Sequence, residues 1–168
     1  MKKILAVDMA LQTGWAYWTG GHPISGTQSF RLQYGESLGM VFLRFEGWLT
    51  RTFTVETVPP DLLVYEAAHH RGGAPTQIGV GMVTILLKFC AEHNIEHCPC
   101  HSQTLKKYFT GKGNASKGEM MEAAAARWNK WGLCPADDNE ADALALLAWG
   151  LDGCPKPAIR QKKRCCTA

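Results

Sequence analysis

The sequence predicts an α/β fold: a mixed sheet in which a three-strand antiparallel meander is followed by parallel strands, with helices on its faces. Three observations lead to this class. Short β-favouring runs separated by turn residues open the chain. Apolar strands then alternate with helical patterns, as parallel pairing through helical crossovers requires. The two most apolar of these strands each end on one acid, Asp8 and Glu66.

The elements follow in order. Residues 3–8 read as a buried strand, Ile4-Leu5-Ala6-Val7, that stops at Asp8. The run GWAYWTGG supplies aromatic and β-favouring residues for a second strand, closed by Gly20-Gly21. The run ISGTQSFRL is a third. From Ser37 to about Thr57, the residues Leu38, Val41, Phe42, Phe45, Trp48 and Leu49 recur at helical spacing, and Pro59-Pro60 ends the helix. Leu62 to Tyr65 is a buried strand ending on Glu66, and a loop from His69 to Pro75 follows it. Residues 76–93 carry Ile78, Met82, Ile85, Leu86 and Phe89 on one helical side. The run NIEHCPC is a short strand, and Ser102 is expected to cap a helix that ends near Gly111. A polar loop leads to a helix from Lys117 to about Trp131, rich in alanine. After Pro135, the run DDNEADALALLAWG forms a last helix whose first-turn acids suit its dipole.

With 168 residues, 46% of them hydrophobic, the chain suits one domain, expected over 1–152, followed by a basic tail over 153–168. No apolar run approaches the roughly 20 residues that span a bilayer. The four apolar residues before Asp8 are too few for a signal-peptide core. A soluble, cytoplasmic protein is expected, in a bacterial cell or a phage-infected host. The seven cysteines then read as reduced thiols. Cys98-Pro99-Cys100-His101 lacks the spacing and the second ligand pair of a zinc site.

Charge is uneven along the chain. Residues 1–100 hold seven Lys or Arg against eight Asp or Glu, whereas 101–168 hold eleven against seven. The segment 101–117 has no acid and carries Lys106, Lys107, Lys112 and Lys117. Cations clustered without anions suit a polyanion such as nucleic acid, although they also serve solubility.

The acids carry the chemistry. If the strands ending on Asp8 and Glu66 are neighbours, their carboxylates converge at one end of the sheet. Asp138 and Asp142, four apart, share one face of the last helix. The apolar run ALALLAW packs that helix on the core and brings Asp142 near the sheet. Carboxylates gathered without a paired base repel one another and call for cations. Oxygen ligands select Mg²⁺, with Mn²⁺ as a substitute. Two such ions roughly 4 Å apart activate water and stabilise the leaving oxygen of a phosphodiester.

At these residues the chain resembles the RuvC-type Holliday junction resolvases of the RNase H-like nuclease superfamily. The matching pieces are ILAVDMALQTGWAYW with Asp8, DLLVYEAAHHRGGAPTQIGVGMV with Glu66, and DDNEADALALLAWG with Asp142. The resemblance covers nearly all of residues 1–150. The resemblance implies an RNase H-like sheet and a crossover junction endodeoxyribonuclease. Such an enzyme hydrolyses phosphodiesters with two Mg²⁺ ions and leaves 5′-phosphate and 3′-hydroxyl ends. It implies metal ligands, and so catalytic residues, at Asp8, Glu66 and Asp142. A fourth falls to Asp138, with Asn139 as the alternative and Glu140 as a weaker candidate that should point elsewhere. It implies that Lys106 and Lys117 contact DNA or assist catalysis. Lys107 and Lys112 are further cations of that segment. His69, His70 and Arg71 occupy the loop where relatives place an aromatic that probes the junction. The partner implied is a four-way DNA junction bound by a homodimer, paired through the helix over 76–91 where Gly79, Gly81 and Met82 permit close contact. Two-fold symmetry would offer one site to each of two equivalent strands.

Other classes fit less well. A sugar-kinase-like or actin-like ATPase would need further glycine-rich phosphate loops and about twice the length. A non-catalytic nucleic-acid-binding domain leaves the acids at two buried strand ends without a reason. A related nuclease acting on flaps or RNA–DNA hybrids shares the chemistry and differs in substrate shape.

Overall fold

A computed structural model of the chain describes residues 2–67 and 73–155. Five strands form one sheet: β1 (Ile4–Asp8), β2 (Gln12–Trp18), β3 (Pro23–Ser29), β4 (Leu62–Glu66) and β5 (Glu96–Cys100). Their order across the sheet is β3-β2-β1-β4-β5. The first three pair antiparallel, while β4 joins β1 and β5 joins β4 in parallel. This is the mixed sheet that the sequence predicts.

Two cores follow from the two-residue period of the strands. Leu5, Val7, Tyr17, Leu63 and Tyr65 face one way, into a core closed by α1 (Gly39–Thr50) and α2 (Gly73–Glu92). Ile4, Ala6, Ala16, Trp18, Leu62 and Val64 face the other way, into a core with α3 (Ser102–Thr110), α4 (Lys117–Trp128) and α5 (Asp138–Leu151). β1 and β4 are therefore apolar up to their terminal acids, because helices cover both faces.

Several boundaries differ from expectation. The third strand stops at Ser29: the Phe30 amide bonds the Leu11 carbonyl at 2.8 Å, and the ring turns in against Phe45 and Trp48. After Thr50 the first helix widens into a π-helical turn, Arg51–Glu56, which buries Phe53 against Trp15, Tyr17 and Trp48. His101, not Ser102, caps α3, because the backbone is still extended at His101 as it leaves β5. It makes no side-chain capping bond. α4 ends at Trp128 in a 3-10 turn, Asn129–Trp131. At its start, Ser116 and Glu119 form a complete capping box.

α5 is the best-buried helix, and two glycines let it lie close on the sheet. A Cβ on Gly14 of β2 would stand 1.9 Å from the Asn139 carbonyl oxygen. A Cβ on Gly150 would stand 2.8 Å from Val64 Cγ2 and 3.0 Å from Ile4 Cγ2. Since Gly14 pairs with Asp8 and Ile4 begins β1, α5 runs antiparallel to β1 with its N-terminus at the Asp8 end. On the other face, Gly81 of α2 fits against the Phe42 ring, where a Cβ would be 2.4 Å away, and Met82 is buried. Two of the three residues expected to pair subunits thus serve the packing of this chain on itself.

Among the described residues no helix is long and apolar enough to cross a membrane. Most of the expected tail, residues 156–168, lies outside the described residues.

The seat of α5 is testable with two alanines. Gly14→Ala forces backbone atoms apart and should cost at least about 2 kcal/mol in urea denaturation. Gly47→Ala, on an exposed helical site with open space around it, should gain roughly 0.5–1 kcal/mol. Equal effects of the two would show that α5 does not need the close approach.

Candidate active site

The register of β1 and β4 brings the strand-end acids together. Val7 pairs with Tyr65, so Asp8 and Glu66 follow side by side. Ile4 and Ala6 on β1, and Leu62 and Val64 on β4, face α5. The same alternation turns Asp8 and Glu66 toward that helix. Asp142 lies one turn into α5, above them. Asp8, Glu66, Asp138 and Asp142 are all half-buried.

Their charges interact. Burial, and then the carboxylates of Asp142, Glu66 and Asp138, hold the Asp8 carboxyl well above its ordinary range. Burial and Glu66 push Asp142 up to about 6, with Asp138 adding and Lys106 and Lys117 opposing. Asp138 moves the other way, because its carboxylate accepts a bond from the Lys117 ammonium. That bond, with the negative charge of Asp142 and Asp8, raises Lys117 in turn.

Other expected residues fall differently. Lys106 donates to the Ala115 carbonyl at 3.0 Å, and its charge reaches Asp142. Lys112 is paired with Glu119 at 2.6 Å, on the capping box of α4. Lys107 is exposed, on the outer side of α3. His69, His70 and Arg71 lie outside the described residues. Asn139 is half-buried, and its backbone is the part that meets Gly14.

Glu140 does point elsewhere, as expected, and has a task there. It is buried and accepts bonds from Ser25 Oγ at 2.6 Å and the Ala136 amide at 2.7 Å. Its own amide donates to Asp137, the N-cap of α5, which also accepts from Thr27 Oγ1 at 2.9 Å. β3 thereby clamps the first turn of α5. The spacing Asp137-x-x-Glu140 carries the signal of such a cap. Ser25 and Thr27 give no sign in sequence of facing α5.

The donor set is chemically consistent with a hard divalent cation. Four carboxylates and one close lysine leave excess negative charge, and every donor is oxygen. Among the described residues, no three His, Cys, Asp or Glu side chains are grouped so as to hold a metal ion as they stand. Asp138, turned to Lys117, is the most evidently diverted.

The topology is that of an RNase H-like fold. Solved structures bear this out: the chain superposes on the Thermus thermophilus RuvC structure with a TM-score of 0.69 at 16% identity, over 92% of this chain and 99% of that one. T. thermophilus RuvC in complex with Holliday junction substrate matches with a TM-score of 0.68 at 15% identity, over 87% and 90%. At such identity the likeness establishes a shared fold. No family model matches the sequence, and no curated protein matches it.

The electrostatics of the site predict a pH effect. The folded chain keeps the Asp142 proton to about 6, against an ordinary 3.8. Between these values the folded state binds more protons than the unfolded, so this group's contribution to stability falls as pH rises. In EDTA, Asp142→Asn should therefore gain on the native chain as pH passes from about 4 to above about 6. The gain should be on the order of 1–3 kcal/mol by urea denaturation. A constant difference across that window would show that Asp142 feels no such repulsion.

Proposed function

We propose that the protein is a divalent-cation-dependent endonuclease that cuts branched DNA, foremost four-way junctions, leaving 5′-phosphate and 3′-hydroxyl ends. The observation that carries this reading is the set of carboxylates around Asp8, held at the end of two parallel strands beneath α5. The shared fold with RuvC supports it, since one of those RuvC structures holds a Holliday junction substrate.

Asp8, Glu66 and Asp142 would hold the cations, with Asp138 as the fourth ligand and Asn139 as the alternative. Bound there, a pair of Mg²⁺ or Mn²⁺ ions supplies Lewis-acid activation for phosphodiester hydrolysis. The chain's own residues do the rest. β1 and α5 fix the carboxylates on rigid elements, which sets where a phosphate must sit. A phosphate oxygen is the natural competitor for the Lys117 ammonium. Once Lys117 turns to it, the charge of the phosphate is offset and the Asp138 carboxylate is left free as an oxygen donor.

Beside the acids, an open groove of about 750 Å³ runs past His101, Gln103, Lys106 and Asn114. It begins where β5 ends, since Cys100 pairs with Glu66. Its lysine suits a DNA backbone, with Lys106 and Lys107 contacting phosphates. Lys112 would have to leave Glu119 to join them. His69, His70 and Arg71 would meet the branch point. A homodimer through α2 would use Gln77, Val80 and Thr84, which are exposed along one side of that helix.

Cleavage of a synthetic four-way junction, a flap, an RNA–DNA hybrid and a plain duplex, each with Mg²⁺, tests the reading. Paired symmetric nicks in the junction alone are expected, and Asp8→Asn should lower their rate by about 10³-fold or more while the fold persists. Equal cutting of plain duplex would overturn the junction assignment. Full activity of Asp8→Asn would overturn the site.

A further inference from the structure

The connection between β3 and α1 carries a side chain that the fold does not use. Tyr34 is exposed to 108% of its reference surface, and Leu32 beside it to 39%. Large apolar side chains displayed in this way gain nothing for the folded monomer. The segment that shows Tyr34 is not loose. Gln33 to Glu36 close a turn in which the Glu36 amide bonds the Gln33 carbonyl at 3.1 Å and the Gln33 amide bonds Glu36 Oε2 at 2.7 Å. Gly35 takes the left-handed conformation the turn needs, with φ +83°. Arg44 of α1 grips both Glu36 oxygens and also donates to the Arg31 carbonyl at 3.2 Å. The base of the segment is anchored by the buried Phe30 ring.

The turn also stands at a telling place. β3 runs antiparallel to β2, and its last residue, Ser29, pairs with Gln12. Phe30 bonds Leu11, in the short connection that follows Asp8. The turn therefore leaves the sheet at the same end as the carboxylates, from the edge strand β3. One cation accompanies it: Arg31 is exposed and makes no ion pair among the described residues. The charge of Arg44, by contrast, is spent on Glu36.

We infer that Tyr34, held out by the Gln33–Glu36 turn, stacks on an unpaired base of the nucleic acid that the carboxylates cut, while Arg31 meets a neighbouring phosphate. This rests on the nuclease reading and extends it to a second contact, beyond the β3 edge of the sheet. An aromatic face with an unpaired cation beside it is the combination that binds unstacked bases without regard to sequence. The turn is tied by its own hydrogen bonds and by Arg44 before binding, which limits the ordering entropy that opposes the contact. A fully paired duplex offers its edge and its backbone but no free base face, so Tyr34 favours DNA with unpaired bases at a branch or gap.

The test measures binding by the full chain in EDTA, where no cleavage is expected. The ligands are a four-way junction, a gapped duplex and a fully paired duplex, each with 2-aminopurine at the branch, the gap or the matching position. Tyr34→Ala should weaken the junction and gapped duplex about tenfold, change the paired duplex less than twofold and abolish the stacking-dependent quench. Tyr34→Phe should restore both readouts, because the ring and not the hydroxyl makes the contact. Arg31→Ala should weaken all three alike and make the salt dependence shallower. An equal loss on all three ligands for Tyr34→Ala, no loss at all, or failure of Tyr34→Phe to restore binding would each overturn the inference. If the native chain cuts junctions and Tyr34→Ala binds them normally, this inference fails and the nuclease reading stands. If the chain cuts no DNA but Tyr34→Ala still loses only the unpaired ligands, the nuclease reading fails and the base contact stands.

Discussion

Everything at the acidic end of the sheet depends on how closely α5 lies on β1 and β2. Gly14 and Gly150 remove the side chains that would hold the helix off, one near each end. Between them the face of the helix toward the sheet is largely alanine and leucine, all buried. A helix rises about 1.5 Å per residue, so the two contacts lie roughly 17 Å apart and fix tilt as well as height. The clamp of Ser25 and Thr27 on Glu140 and Asp137 then fixes rotation of the first turn. With height, tilt and rotation set, Asp142 has one place to be, over Asp8 and Glu66. Packing of apolar residues thereby decides the positions of charged ones.

Those positions are costly to the free chain. Four carboxylates share a partly enclosed end of the sheet, and two of them hold their protons more tightly than free aspartates. Lys117 relieves part of the repulsion by bonding Asp138. A stable protein has no need of such a gathering, and strain of this kind concentrates where a ligand relieves it. On the proposed reading the lysine and a cation would be alternative partners for the same carboxylate, so arrival of substrate phosphate and completion of the cation site would be linked through one side chain.

Most of this was legible in the sequence because it rests on short-range pattern. Ile4 to Val7 and Leu62 to Tyr65 announce buried strands, and the acids that end them are visible at once. The apolar run after Asp142 announces a helix packed on the core. What stayed hidden depends on contact between distant segments. Nothing in the sequence around Gly14 says that Asn139 will press against it. Glu140 reads as one more acid of a charged first turn until Ser25 is seen beneath it. Phe30 continues a strand pattern, yet it leaves the sheet to join Phe45 and Trp48. Ser102 is the better cap by residue type, but the extended backbone that leaves β5 ends one residue earlier, at His101, and Ser102 is already helical. Asp138 and Asn139 are not separated by spacing alone. The bond from Lys117 to Asp138 comes from another helix and gives no sign in that spacing.

The central claim is that these carboxylates form a site for divalent cations. Calorimetric titration of Mn²⁺ into the full chain near neutral pH measures it directly. Saturable binding of two ions per chain with release of protons is expected, since carboxyls held above their ordinary range must give them up. Loss of that binding is expected in both Asp8→Asn and Glu66→Gln. Binding of undiminished affinity and stoichiometry in those two variants would contradict it.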